Sequence, residues 1–280
     1  MTAAMTRPTP DGTSSAAREP ARKRTPWLLL GGSVMAAAGF AWPLLASAVP
    51  ADAQAAAPFV ALALVPAVIV ALAIALDREV SSAAAVALLG VLAAVGAAIR
   101  IAGAGVGGVE AVFILLILAG RVFGARFGFL LGLLTIGLSS VLWGGFGPWT
   151  PFQAFACAWV GAGAGLLPQW RVRAGLDIAT TERSNRRREI AVLVTYGIVA
   201  AYAFGLIMNL WFWPFAVGPE TGISYAADAG LPQNLASFWL YSLVTSTLTW
   251  DTVRAMTTTI GLLVAGPPIL AALRRAPLAR

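Results

Sequence analysis

Five polar residues stand in sequence that is otherwise apolar: Arg100, Glu110, Asn209, Asp251 and Arg254. A charge at membrane depth costs ~2.5–3.5 kcal/mol on insertion scales, so each needs a partner or a wet cavity. Asp251 and Arg254 are three positions apart, a spacing that lets them pair along one helix face. All five fall near the same ends of apolar runs. That placement favours a polar cavity on one side over isolated interfacial ion pairs.

A second candidate is the run Trp143-Gly-Gly-Phe-Gly-Pro-Trp-Thr-Pro-Phe-Gln153. Its glycines free the backbone and its prolines fix it. Trp143 and Trp149 offer flat apolar faces, and Gln153 offers both amide donors and an acceptor. Two readings stay open: a small-molecule site, or a tight turn with interfacial tryptophans. Trp211 joins this aromatic set. Such a set has room for a ligand as large as a cobalamin or a flavin.

Other chemistry is poorly supplied. The chain has no histidine, the commonest general base and transition-metal ligand. Glu110 and Asp251 are isolated carboxylates in sequence. An intramembrane hydrolase therefore lacks an obvious nucleophile and base. Cys157, alone of its kind, reads as a buried small residue. Gly103-x-Gly105-x-x-Gly108 matches the dinucleotide fingerprint in letter only. An apolar helical run precedes it and no acid follows at the required distance, so it reads as a flexible turn. No G-x-x-x-x-G-K-[ST] loop occurs, so the chain has no ATP-hydrolysing motif of its own.

These residues must be positioned by membrane helices. Of 280 residues, 59% are apolar and 11% charged, where soluble domains carry roughly 25% charged. The formal charge of +7 does not suggest nucleic acid, because the basic residues sit between apolar runs. A spanning helix needs about 20 apolar residues. Such runs lie near 27–49, 58–76, 80–99, 109–121, 126–143, 151–170, 190–213 and 250–273. The expectation is an all-α membrane protein with about eight transmembrane helices. The fourth is short for a span.

Arginine sets the orientation. With both termini inside, every inner segment is basic: Arg7 to Arg24, Arg78, Arg121 and Arg126, Arg171 to Arg188, and Arg274 to Arg280. Of the 19 basic residues only Arg100 and Arg254 fall elsewhere. Trp42, Trp143, Trp149, Trp211, Trp213 and Trp239 would mark the outer boundary. Residues 1–26 read as a disordered cytoplasmic tail, 27–79 as two N-terminal helices and 80–280 as a six-helix bundle. The stretch 27–54 also has signal-peptide features, but its long apolar run favours an uncleaved span. Residues 218–249 read as an outer loop followed by an amphipathic stretch, Asn234 to Thr249: either a short helix at the interface or over a cavity, or a plain connector.

Small residues recur at i, i+4: Gly120, Gly124, Gly128 and Gly132; Gly161 and Gly165; Gly90, Ala94 and Ala98. Such stripes pack helices closely, either within this chain or against a partner. Gly120 to Gly132 also crosses an expected turn.

Together these features resemble the substrate-binding S components of energy-coupling factor (ECF) transporters. The most specific stretch runs from Gly120-Arg-Val-Phe-Gly-Ala-Arg-Phe-Gly-Phe-Leu-Leu-Gly132 through Ser139-Ser140 to Gly144-Gly-Phe-Gly-Pro-Trp-Thr-Pro-Phe-Gln153, and Trp250 to Arg275 is similar to the family's last helix. The resemblance covers about residues 80–275. It implies a six-helix bundle, here preceded by two extra N-terminal helices. It implies capture of a vitamin or related micronutrient from outside by a plasma-membrane subunit. It also implies a transmembrane coupling subunit and two ATPase subunits as partners, with ATP used by those partners and no cofactor or metal on this chain. Gly90, Ala94 and Ala98 would face the coupling subunit; Trp149 and Gln153 would lie at the ligand. A solitary secondary transporter of a small organic solute is the alternative, and an intramembrane enzyme a more remote one.

Overall fold

The computed structural model describes residues 25–46, 59–60, 62–67, 69–70, 82–103, 107–168, 178–218 and 221–276. Among these residues all regular structure is helical. In order the helices are α1 (Thr25–Phe40), α2 (Trp42–Ala46), α3 (Ala83–Ala102), α4 (Val112–Phe123), α5 (Ala125–Trp143), α6 (Thr150–Leu166), α7 (Ile178–Ala216) and α8 (Leu231–Ser242). A π-helical segment, Leu243–Asp251, then leads into α9 (Thr252–Val264) and α10 (Gly266–Leu273).

Among the described residues, three helices are long and apolar enough to cross a membrane: Ala83–Ala102, Ala125–Trp143 and Ser184–Ala216. A fourth crossing arises if Leu231–Val264 and Gly266–Leu273, bent by 64°, form one broken span. The protein is thus an all-α membrane protein by the length and composition of its helices. Residues 1–24, all but the last two of the expected tail, lie outside the described residues, as do 47–58, which hold the candidate cleavage site, and about half of the expected second span.

Helix α4 is short for a physical reason. Its 12 residues extend about 18 Å, against a hydrocarbon core of ~30 Å. Every residue of α4 except Ile114 is buried. It is wrapped by protein rather than by lipid, so its apolar length need not match the bilayer.

The glycine ladder is spent inside the molecule. Gly124 adopts φ 95° and separates α4 from α5, so no single stripe runs from Gly120 to Gly132. The two helices fold back and present their glycines to α6. Side-chain atoms added at Gly120 or Gly128 would run into the Gly161 backbone, and at Gly132 into Ala158. Gly165 likewise abuts Gly124 and Ala125. Close backbone approach is what small residues allow between membrane helices. The stripe Gly90, Ala94 and Ala98 differs: all three are exposed, and a side chain at Gly90 would meet nothing within 4 Å.

Two expectations change. The amphipathic stretch from Asn234 is neither a detached interfacial helix nor a plain connector, because α8 runs through the π segment into α9. The break comes later, at Ala265–Gly266, where Pro267 and Pro268 offer no backbone N–H to continue the ladder. The supposed tryptophan boundary also splits. Trp143, Trp149 and Trp239 are exposed, but Trp42, Trp211 and Trp213 are buried. Trp42 donates from Nε1 to the Trp211 carbonyl at 3.0 Å, and Trp211 stacks on Phe152 at 4.3 Å. Their rings serve packing between helices.

The N-terminal helices share the main core. Ala36, Phe40, Trp42 and Val65 belong to the same buried cluster as α4, α5 and α6. Phe40 meets Phe152 edge-on at 5.1 Å, and Trp159 donates to Ser33 at 2.8 Å. At the end of the bundle that holds the α4–α5 turn, Glu189 Oε1 accepts from Arg121 at 2.9 Å and from Arg274 at 2.6 Å. Arg121 also caps the end of α6 through the carbonyls of Leu167 and Pro168.

Candidate functional site

The end of the bundle opposite Arg121 holds a partly open cavity of about 230 Å³. Arg100, Glu110, Trp143, Gln153 and Arg254 line it, five of the residues singled out from the sequence. Gly103, Gly108, Ile136, Cys157 and Trp250 complete much of the wall.

One cluster joins α3, α5 and α6. Arg100, in the last turn of α3, donates to Ser139 Oγ at 2.9 Å and to Gln153 Oε1 at 2.7 Å. The glycine-proline turn places Gln153. Gly144 takes the left-handed conformation (φ 71°) that closes α5. Gly147 N donates to Thr150 Oγ1, and Pro151 then sits in the first turn of α6, where its missing N–H costs nothing. Gln153 follows one turn inside.

A second cluster joins the stretch before α4 to α7 and α9. Arg254 donates from Nε to Glu110 Oε2 at 2.7 Å, pairs with Asp251 Oδ1, and donates to the Ala201 carbonyl at 3.3 Å. Its guanidinium lies 4.8 Å from the centre of the Phe204 ring and 5.9 Å from that of Phe113, so cation–π attraction adds to the ion pairs. Asp251 is fully buried and also accepts from Ser246 Oγ at 3.0 Å. The i, i+3 pairing expected of Asp251 and Arg254 is present. Asp251 itself lies behind Arg254 rather than in the lining.

Gly103 and Gly108 are part of this wall, and residues 104–106 of the glycine-rich motif lie outside the described residues. Gly108 has φ 75°, and a side chain there would collide with the Trp250 backbone and Val253. Glycine is needed so that the turn can lie against the start of α9, which seats Glu110 beside Arg254.

Three expected residues lie apart. Asn209 donates to Ser242 Oγ at 3.0 Å, tying α7 to the end of α8. Trp211 is in the core. Trp149 is 45% exposed, packs over Gly147 and does not line the cavity. The aromatic set therefore does not form one large binding face. Sequence reasoning missed Ser139 as an Arg100 partner, and Cys157 and Trp250 as lining. Cys157 is a buried free cysteine whose helix position brings it to the cavity wall. Only the polar pair Ser139-Ser140 near a helix end signalled any of these. Among the described residues, no group of three His, Cys, Asp or Glu side chains is placed to hold a metal ion.

No family model, no curated protein and no solved structure matches this chain.

Proposed function

We propose that this chain is the membrane-embedded substrate-binding subunit of an ECF-type importer, capturing a vitamin-like micronutrient from the outer side. The observation that carries the reading is the cavity: charged residues from three separate stretches, Arg100, Glu110 and Arg254, converge on one pocket at one end of an apolar bundle. Charges held at such depth are functional by default. The arginine distribution supports an inner Arg121 and Arg274 end, and with it a cavity that opens outward. The exposed Gly90, Ala94 and Ala98 face supports a docking surface for a coupling subunit. In this reading the chain has eight spans and both ends in the cytoplasm, and partner ATPases supply the energy.

The volume favours a compact ligand. Pockets for drug-sized ligands run ~300–1,000 Å³, above the 230 Å³ here, so a cobalamin would not be enclosed. A second reading, a solitary secondary transporter, is favoured by one observation. The last apolar helix is π-wound over Leu243–Asp251 and broken at Ala265–Gly266, and discontinuous helices are common in such carriers. Purification with mass spectrometry of bound solutes, followed by capture of coupling and ATPase subunits from the source membrane, tests the first reading. A co-purifying solute and those partners support it; neither, across a broad vitamin panel, removes it.

A further inference from the structure

Arg100 and Arg254 both line the cavity, but their charges are met differently. Arg254 has two carboxylates, Glu110 and Asp251. Arg100 has Ser139 and Gln153, both uncharged. Among the described residues, no carboxylate lies within ion-pair distance of Arg100. The lining therefore carries a surplus positive charge on the α3 wall. Around Arg254 the balance is negative, because Glu110 in the lining and Asp251 behind it share one guanidinium.

The hydrogen-bonding capacity follows the same division. A guanidinium has five N–H donors in a rigid fork. The Arg100 nitrogens Nη1 and Nη2 each spend one on a neutral acceptor, which holds the side chain in place and leaves donors over. A bidentate anion is what that fork fits best. Glu110 gives Oε2 to Arg254, and no described group donates to its Oε1.

We propose that the ligand is a compact dipolar solute. Its anionic group, a carboxylate or a phosphate or sulfonate equivalent, docks on Arg100, and an N–H or O–H donor at its other end docks on Glu110. This rests on the binding-subunit reading and names its substrate class. The cavity sets the size: at about 230 Å³ it falls below the ~300–1,000 Å³ of pockets for drug-sized ligands.

The probe is a water-soluble metabolite extract separated into anionic, zwitterionic, cationic and neutral fractions. Each is equilibrated with the purified full-length chain, and retained solutes are read by mass spectrometry. The expected result is retention from the anionic and zwitterionic fractions alone. Arg100→Met should bind the retained solute roughly 100-fold more weakly, as loss of a buried charge partner does, and Arg100→Lys should recover part of that loss. Glu110→Gln should weaken zwitterions more than plain anions. Retention of neutral or cationic solutes by the wild-type chain overturns the proposal whatever the variants do. So does an Arg100→Met protein that elutes as a single species and binds as well as wild type. If no fraction yields a retained solute, the binding-subunit reading itself falls, and this inference with it.

Discussion

The carboxylate of Asp251 occupies the volume that a side chain at Gly205 would need. A Cβ built at Gly205 would overlap both carboxylate oxygens. Helix α7 thus offers bare backbone to a fully buried acid, and the acid in turn holds Arg254 at the cavity. Gly205→Ala should push Asp251 off Arg254 at an overpacking cost of about 1–3 kcal/mol. A thermal unfolding scan in detergent checks this, with a clear fall in Tm expected. An unchanged Tm would mean that the α7–π segment contact is loose.

A second stability test compares two glycines of α5. A side chain at Gly128 would meet the Gly161 backbone, whereas one at Gly137 would meet nothing within 4 Å. Gly128→Ala should lower Tm, because backbone cannot move aside as a flexible side chain can. Gly137→Ala should hold or raise it, since alanine is favoured over glycine in a helix by up to ~1 kcal/mol.

Removing Arg254 leaves Asp251 buried without its charge partner. Breaking such a pair costs roughly 3–5 kcal/mol, whereas removing both charges together is often nearly neutral. Arg254→Met should therefore unfold far more readily than the double variant Arg254→Met with Asp251→Asn. Equal destabilisation of the two would show that packing between Phe113 and Phe204, rather than charge, keeps Arg254 in place.

Much of this is legible in the sequence. Insertion cost singles out Arg100, Glu110, Asn209, Asp251 and Arg254, of which Arg100, Glu110 and Arg254 line the cavity. The i, i+3 spacing marked Asp251 and Arg254 as a pair. What the sequence does not encode locally is which partner lies across the bundle. Glu110 and Arg254 are 144 positions apart, and Arg100 and Gln153 are 53 apart. Asn209 and Trp211 share the apolar helix-end context of the true lining residues. Their positions on α7 turn them toward Ser242 and Phe152 instead. The glycine ladder was visible as a spacing, but its fold-back depends on the positive φ of Gly124.

The two residues of the aromatic turn should separate under mutation. Gln153 bonds Arg100 and lines the cavity; Trp149 is half-exposed beside it. Gln153→Ala should weaken ligand binding by about tenfold, the worth of one hydrogen bond to a charged group. Trp149→Ala should leave affinity within about twofold, as surface substitutions away from a site do. Titration of each purified variant with the retained solute measures both.

As a binding subunit, this chain should bind solute alone but not pump alone. The most direct test is a proteoliposome assay with the purified chain only, against a defined panel of vitamins and small zwitterionic metabolites, counting bound and internalised solute per chain. The expected result is saturation at one solute per chain, with no accumulation under any ion gradient. Accumulation beyond that ratio without ATPase partners would contradict it and establish the solitary carrier, and no binding across the panel would contradict it outright.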